Sequence, residues 1–203
     1  TIERAALLKS LGHVQSVVER RNTIPILSNV KLEAGDGAVR LNATDMDLDI
    51  VEQAVADVAT PGSTTVSAHT LYDIVRKLPD GAQVNMDGGG DGQVILSAGR
   101  SRFTLASLPI DEFPVLSGGD LPHQFTFTAA ELRGLIDRTR FAISTEETRY
   151  YLNGIFLHAA DHDGTALLRA VATDGHRLAS VQIPLPTGAK SMPGVIVPRK
   201  AVA

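Results

Sequence analysis

Two stretches decide how this chain is organised: "PILSNVKLEAGDGAVRLNATD", Pro25 to Asp45, and "YYLNGIFLHAADHDGTALLRAVATD", Tyr150 to Asp174. Laid side by side, Leu27, Val30, Leu32 and Ala34 fall opposite Leu152, Ile155, Leu157 and Ala159. Both strand-like runs then meet an acidic Gly turn, "GDG" or "DHDG", and a second strand ending in Thr-Asp, at Thr44-Asp45 and Thr173-Asp174. A third strand follows each, "LDIVEQAV" or "RLASVQI". Each copy then reaches a strand that hands over to a helix, in "TTVSAHTL" or "GVIVPRKAV".

Working backward, both copies open on a helix. Leu7, Leu11, Val14 and Val18 recur at helical spacing in "TIERAALLKSLGHVQSVVER", and Leu132, Ile136 and Ile143 do so in "TAAELRGLIDRTRFAIS". Thr128 with Glu131 three residues on predicts a capping box. Self-similarity over about 70 residues is the mark of a duplicated domain rather than of a short solenoid repeat. The first copy continues through "TLYDIVRKL", a hairpin around "DGGGDG" and "RFTLASL". We expect a first domain over 1–119, a Gly/Pro-rich linker over 120–124, and a second domain over 125–203 that stops where its second helix is due.

Composition narrows the function. The chain has 203 residues, 43% apolar and 21% charged, as in globular proteins, and no apolar run of membrane-spanning length. It has no Cys, which excludes disulfides, thiol nucleophiles and thiolate metal sites, and fits a reducing, cytoplasmic setting. With no Trp and few other aromatics it does not read as a base-stacking single-strand binder. The net charge is −4, but its distribution is uneven. The helices expected at 3–20, 69–78 and 128–143 hold eight of the 19 basic and five of the 23 acidic residues. Lys9, His13, Ser16 and Arg20 lie on one predicted helix path, and Arg133 and Arg140 on another. Basic helices on an acidic chain suggest a surface that meets polyanion in one place, although ordinary solvated faces give the same pattern.

Three motifs could carry chemistry. "DMDLD", Asp45 to Asp49, fails as a calcium loop because Ile50 and Ala56 stand where Gly and Glu are required. It is expected as a strand with its three acids on one solvated face. "GGGDG" at 88–92 lacks the Lys-Ser/Thr ending of a phosphate loop and reads as a hairpin turn. "ATDGHRLA", Ala172 to Ala179, gathers Asp174, His176 and Arg177. It admits three readings: a hydrolase pair of Asp174 and His176, a turn capped by Asp174, or the rim of a peptide groove floored by Leu152, Thr173 and Leu178.

"TIPILSN", "GRSRFTL", "RYYLNG", "ATDGHRLA" and "VPRK", in that order, resemble the beta subunit family of bacterial DNA polymerase III, the sliding clamps, along the whole chain. The resemblance implies an α+β DNA-clamp fold in which duplicated domains pack two helices on antiparallel sheets. It implies a third such domain, absent from this chain, and two chains closing head-to-tail as a homodimer ring around double-stranded DNA. It implies no catalytic site and no cofactor. Partners would be the polymerase III catalytic subunit, the clamp-loader complex, and other polymerases and repair factors that insert a short Gln- and Leu/Phe-containing segment.

By the same resemblance, that groove comprises Leu152, Thr173, Gly175, His176, Arg177 and Leu178. DNA contact would fall to Arg21, Tyr150, Tyr151, Arg199 and Lys200, and Arg100 and Arg102 would meet the neighbouring subunit. Two positions depart from the pattern: Glu146 stands for a family Gln and His69 for a family Arg, and both weaken the local positive field.

Overall fold

Strand pairing repeats the sequence duplication. The computed structural model describes residues 1–20, 22–88, 90, 92–114 and 121–202, with Glu147 described by its backbone alone. The chain divides into two compact units, Thr1–Ser117 and Gly118–Ala203.

In the first unit a short strand β1 (Ile2–Glu3) leads into α1 (Arg4–Val14), whose first turn is capped by the Glu3 carboxylate accepting from the Ala6 amide. Then come β2 (Asn29–Gly35), β3 (Ala38–Thr44), β4 (Asp49–Val55) and β5 (Gly62–Ser67), forming an antiparallel sheet in the order β4-β3-β2-β5. Helix α2 (Ala68–Lys77) follows, and β6 (Gln83–Asp87), β7 (Gln93–Ala98) and β8 (Ser101–Ala106) join β1 in a second sheet, β1-β6-β7-β8. Leu7, Leu11 and Val14 of α1 and Leu71 and Val75 of α2 are fully buried with Val30, Leu41, Val66, Val84 and Leu96 of the strands. Each such side chain contributes roughly 1.5–3 kcal/mol through removal from water, so this core holds the unit together. Residues 89 and 91 of the expected "GGGDG" turn lie outside the described residues, but β6 and β7 pair antiparallel on either side of it.

In the second unit α3 (Ala129–Asp137) opens on the expected capping box: Thr128 Oγ1 accepts from the Glu131 amide, and the Glu131 carboxylate accepts from the Thr128 amide. Strands β9 (Gly154–His162), β10 (Thr165–Thr173), β11 (Leu178–Pro184) and β12 (Val195–Pro198) pair in the order β11-β10-β9-β12. This matches β4-β3-β2-β5 strand for strand. Leu168, Ala170 and Ala172 of β10 alternate toward a core shared with Leu135, Ile143 and Ile155, leaving Val171 and Thr173 on the opposite face. No helix among the described residues is long and apolar enough to cross a membrane, which says nothing of strands.

Both opening helices are shorter than expected, for a common reason. The Ser16 hydroxyl donates to the His13 carbonyl at 2.6 Å, and the Thr139 hydroxyl to the Leu135 carbonyl at 2.6 Å. Each occupies an acceptor at the helix end, and the chain leaves the helix there. Ser16 and Arg20 therefore do not extend the α1 face begun by Lys9 and His13. Arg133 and Arg140 also sit on different elements, though both reach Asp137, at 3.1 and 3.4 Å.

The expected strand over "DMDLD" is also corrected: β3 stops at Thr44, and Asp45 begins a tight turn. Asp45 Oδ1 accepts from the Asp47 and Leu48 amides, and Met46 takes a φ of 78°. These carboxylate-to-amide bonds are satisfied within four residues, so the turn forms before any strand can continue.

Candidate peptide groove and charged rim

The same turn recurs in the second unit with different side chains. Asp174 Oδ1 accepts from the amides of His176 and Arg177, both at 3.0 Å, just as Asp45 does two and three residues on. Thr173 Oγ1 accepts from the Gly175 amide, as Thr44 Oγ1 does from Met46. Gly175 has a φ of 90°, and a Cβ there would meet Arg149 Nη1 at 3.2 Å, so glycine suits the site twice over. The scaffold is thus duplicated down to its hydrogen bonds. Only the second copy carries His and Arg where the first has Asp47 and Leu48, and Leu178 where the first has Asp49.

Asp174 is fully engaged. Its second oxygen accepts from Arg177 Nε at 2.9 Å, and the Arg177 guanidinium lies 5.7 Å from the Phe141 ring centre. The backbone amides of Arg177 and His176, then the Arg177 side chain, hold the Asp174 pKa below its ordinary 3.8, at about 2. A depressed pKa means that the turn's stabilising contribution is complete above pH 3.8 and is lost as pH falls through about 2. The expected carboxyl titration midpoint, read by carbon NMR, is therefore near 2, and an ordinary value would show that the amides do not bind the carboxylate. Its oxygens are taken by the His176 and Arg177 amides and by the Arg177 side chain rather than by the His176 ring, which is the contact the hydrolase reading needs.

Beside this turn lies an open cavity of about 270 Å³, lined by Tyr151, Leu152, Gly154, Phe156, Val171, Ala172, Thr173 and Ile196. Val171, Phe156 and Ile196 form one cross-strand row, because Val171 pairs with Phe156 and Phe156 with Ile196. Of the residues expected for the groove, Leu152 and Thr173 line the cavity itself. Leu178 stands opposite Thr173 on the next strand and is 66% exposed, and Gly175, His176 and Arg177 form the exposed turn between them. Phe156, Val171 and Ile196 were not expected; their alternation with Ile155, Ala172 and Val197 was the available signal.

The first unit covers its corresponding surface. Thr65 holds the register of Ile196, and its hydroxyl both accepts from the Leu108 amide and donates to the Leu108 carbonyl. Ile26 and Leu27, which match Tyr151 and Leu152, pack with Phe113 and Leu108. Among the described residues, the second unit leaves the matching surface open.

Tyr150 and Tyr151 stand edge to face at 5.7 Å on a 3-10 segment, Glu147–Leu152, and Tyr150 is 77% exposed. The Arg199 amide donates to the Asn153 carbonyl at 2.9 Å, which ties Arg199, with the half-buried Lys200 next in the chain, to the residue that follows this segment. Glu146 pairs with Arg149 at 2.9 Å, an exposed bridge that offsets part of the local positive charge. Arg21 lies outside the described residues. Arg100 and Arg102 are exposed at the β7–β8 turn and on β8, an edge strand of its sheet. Among the described residues no cluster of His, Asp and Glu could hold a metal ion.

The fold is thus a duplicated α+β unit whose second copy, among the described residues, carries a basic turn beside an open apolar cavity at a surface that the first copy covers. Residues 1–117 match the family profile of the DNA polymerase III beta subunit, N-terminal domain, and residues 126–203 that of its central domain, so the chain belongs to the beta subunit family of DNA polymerase III. It is 58% identical over 204 residues to the beta sliding clamp of Caulobacter vibrioides, covering 100% of this chain and 55% of that protein. A crystal structure of the C. crescentus clamp, with polyethylene glycol at a proposed beta-motif tethering region, superposes with a TM-score of 0.95 at 57% identity, over 99% of this chain and 54% of that one. The Bartonella birtlesii clamp bound to griselimycin gives a TM-score of 0.92 at 50% identity, over 99% and 54% of the two chains. The chain spans about half the length of the curated relatives it matches.

Proposed function

We propose that this chain contributes the first two domains of a DNA sliding clamp, a non-catalytic processivity factor that tethers a replicative polymerase to duplex DNA. The observation that carries the reading is the open cavity flanked by Leu178 and the His176-Arg177 turn, on a scaffold whose first copy is closed and acidic at the same place. A segment bearing Leu and Phe side chains suits the cavity's apolar floor, and its polar flank suits the basic rim. The C. crescentus clamp, which holds polyethylene glycol at a proposed beta-motif tethering region, supports the same use. The polymerase III catalytic subunit, the clamp-loader complex, and other polymerases and repair factors are the partners this reading expects there.

Contact with duplex DNA is assigned to Arg21, Tyr150, Tyr151, Arg199 and Lys200 together with basic residues of the helices, acting on phosphates without reading bases. Arg100 and Arg102, beside the open edge of β8, are assigned to a head-to-tail homodimer contact, because an unpaired edge strand offers its backbone to a neighbour. The setting is the bacterial cytoplasm, at the nucleoid during replication. We assign 1–119 and 125–203 to the two clamp domains, with 120–124 as their linker.

The test is topological, and uses a chain as long as the relatives. Loaded onto circular DNA, the protein is expected to stay with the circle through gel filtration and to be lost when the circle is cut. Equal retention on both forms overturns the ring and, with peptide binding intact, leaves a peptide-binding module that does not encircle DNA.

A further inference from the structure

The exposed face of the second sheet continues past the cavity. Val171 and Thr173, which line it, share that face with the half-buried Arg169, since Leu168, Ala170 and Ala172 alternate with them and are buried. In register with Arg169 stand His158 on β9 and Gln182 on β11. This row lies two residues, roughly 7 Å, beyond the row of Phe156 and Val171, on the side away from the His176-Arg177 turn. Phe156 joins the two rows: it lines the cavity, and its ring stacks on the His158 ring with the centres 4.8 Å apart. Gly194 leaves room for it, because a Cβ there would stand 2.5 Å from Phe156 Cζ. The apolar floor therefore leads directly to the row that holds Arg169.

The duplication shows what Arg169 has lost. In the first unit Arg40 holds its place, and the residue in register with Arg40 is an acid, Glu33. The second unit keeps the arginine and puts His158 where the acid stood. Among the described residues no carboxylate pairs with Arg169; its guanidinium donates from Nη2 to Gln182 Oε1 at 3.4 Å, longer than an ordinary hydrogen bond. A guanidinium is always charged and offers five donors in a fork that fits a carboxylate, so most of its capacity is left for a ligand.

We propose that Arg169 pairs with an acidic side chain of the partner segment, two residues along from the apolar side chain seated on Phe156 and Val171. This deepens the peptide-groove reading above and rests on it. An extended segment lying along the strands repeats at their own spacing, so its alternate side chains meet successive rows. One sheet face then reads both the apolar anchor and the acid beside it.

The experiment titrates peptides into a chain as long as the relatives, by isothermal calorimetry. The peptides carry Leu-Phe with Glu two positions before or after the Phe, each beside a twin with Gln in that place. One Glu peptide is expected to bind about fivefold tighter than its twin at low salt, and the preference to shrink as salt is added. Arg169→Gln is expected to abolish the preference, and Arg169→Lys to keep part of it. Suppose the Gln peptides bind and Leu178→Ala weakens them. Equal affinity within every pair, or a preference that survives Arg169→Gln, then overturns the role of Arg169 and leaves the groove standing. Peptides that do not bind, or that ignore Leu178→Ala, sink the groove reading and this inference with it.

Discussion

Leu178→Ala is expected to weaken binding of a Leu- and Phe-containing partner peptide by roughly 1–3 kcal/mol, about five- to 150-fold, with the protein's melting temperature nearly unchanged. The two halves of that expectation have one origin. Leu178 is 66% exposed in the free chain, so its side chain contributes little to the core. It stands in register with Thr173, which lines the cavity, so an apolar ligand seated there covers it. Truncation then removes area that is buried only in the complex. Isothermal titration beside a thermal melt separates the two effects. Unchanged affinity in a folded variant removes Leu178 from the site, and a large fall in melting temperature makes it a core residue instead.

Gly154→Val acts through the backbone and is expected to cost the second unit about 3 kcal/mol of stability, at the upper end for overpacking. Gly154 is the first residue of β9 and pairs with Pro198 of β12. A Cβ added there would collide with the Val197 carbonyl oxygen and sit 2.7 Å from Ile196 Cγ2. Backbone cannot rotate away as a side chain can, so β12 must move. Its displacement carries off Ile196, which lines the cavity, and the Arg199 amide, which is bonded to the Asn153 carbonyl. Stability and peptide binding therefore fall together in this variant, whereas Leu178→Ala lowers binding alone. Urea denaturation with peptide titration checks the pair, and a Gly154→Val protein of ordinary stability would show that the β9–β12 edge yields freely.

Much of this was legible because it is local or periodic. The capping box at Thr128 and Glu131 depends on residues three apart. The buried faces of β3 and β10 follow from alternation, and the runs β4-β3-β2, β6-β7-β8 and β11-β10-β9 follow from consecutive antiparallel neighbours, whereas β5, β12 and β1 join their sheets beside strands distant in the chain. The helix ends were misjudged because apolar spacing continues through Val17, Val18 and Ile143, while hydroxyls at Ser16 and Thr139 divert the backbone first. "DMDLD" was misjudged for a similar reason: its alternation suits a strand, but Asp45 prefers its own neighbours' amides.

The sequence by itself determined that one unit is built twice, much of each core, with the exception of Leu132, whose helical spacing suits a core but which is exposed, and that the second "TD" turn differs in charge from the first. Those properties are carried by side-chain type and by spacing along a single chain. Only the tertiary structure decided that Leu108 and Phe113 close the first unit's copy of the site while Tyr151, Phe156 and Ile196 leave the second open, and that the His69 ring faces a carbonyl rather than solvent. Each depends on residues some 40 or more positions apart arriving at one place, and no periodicity in the chain encodes which surface another segment will cover.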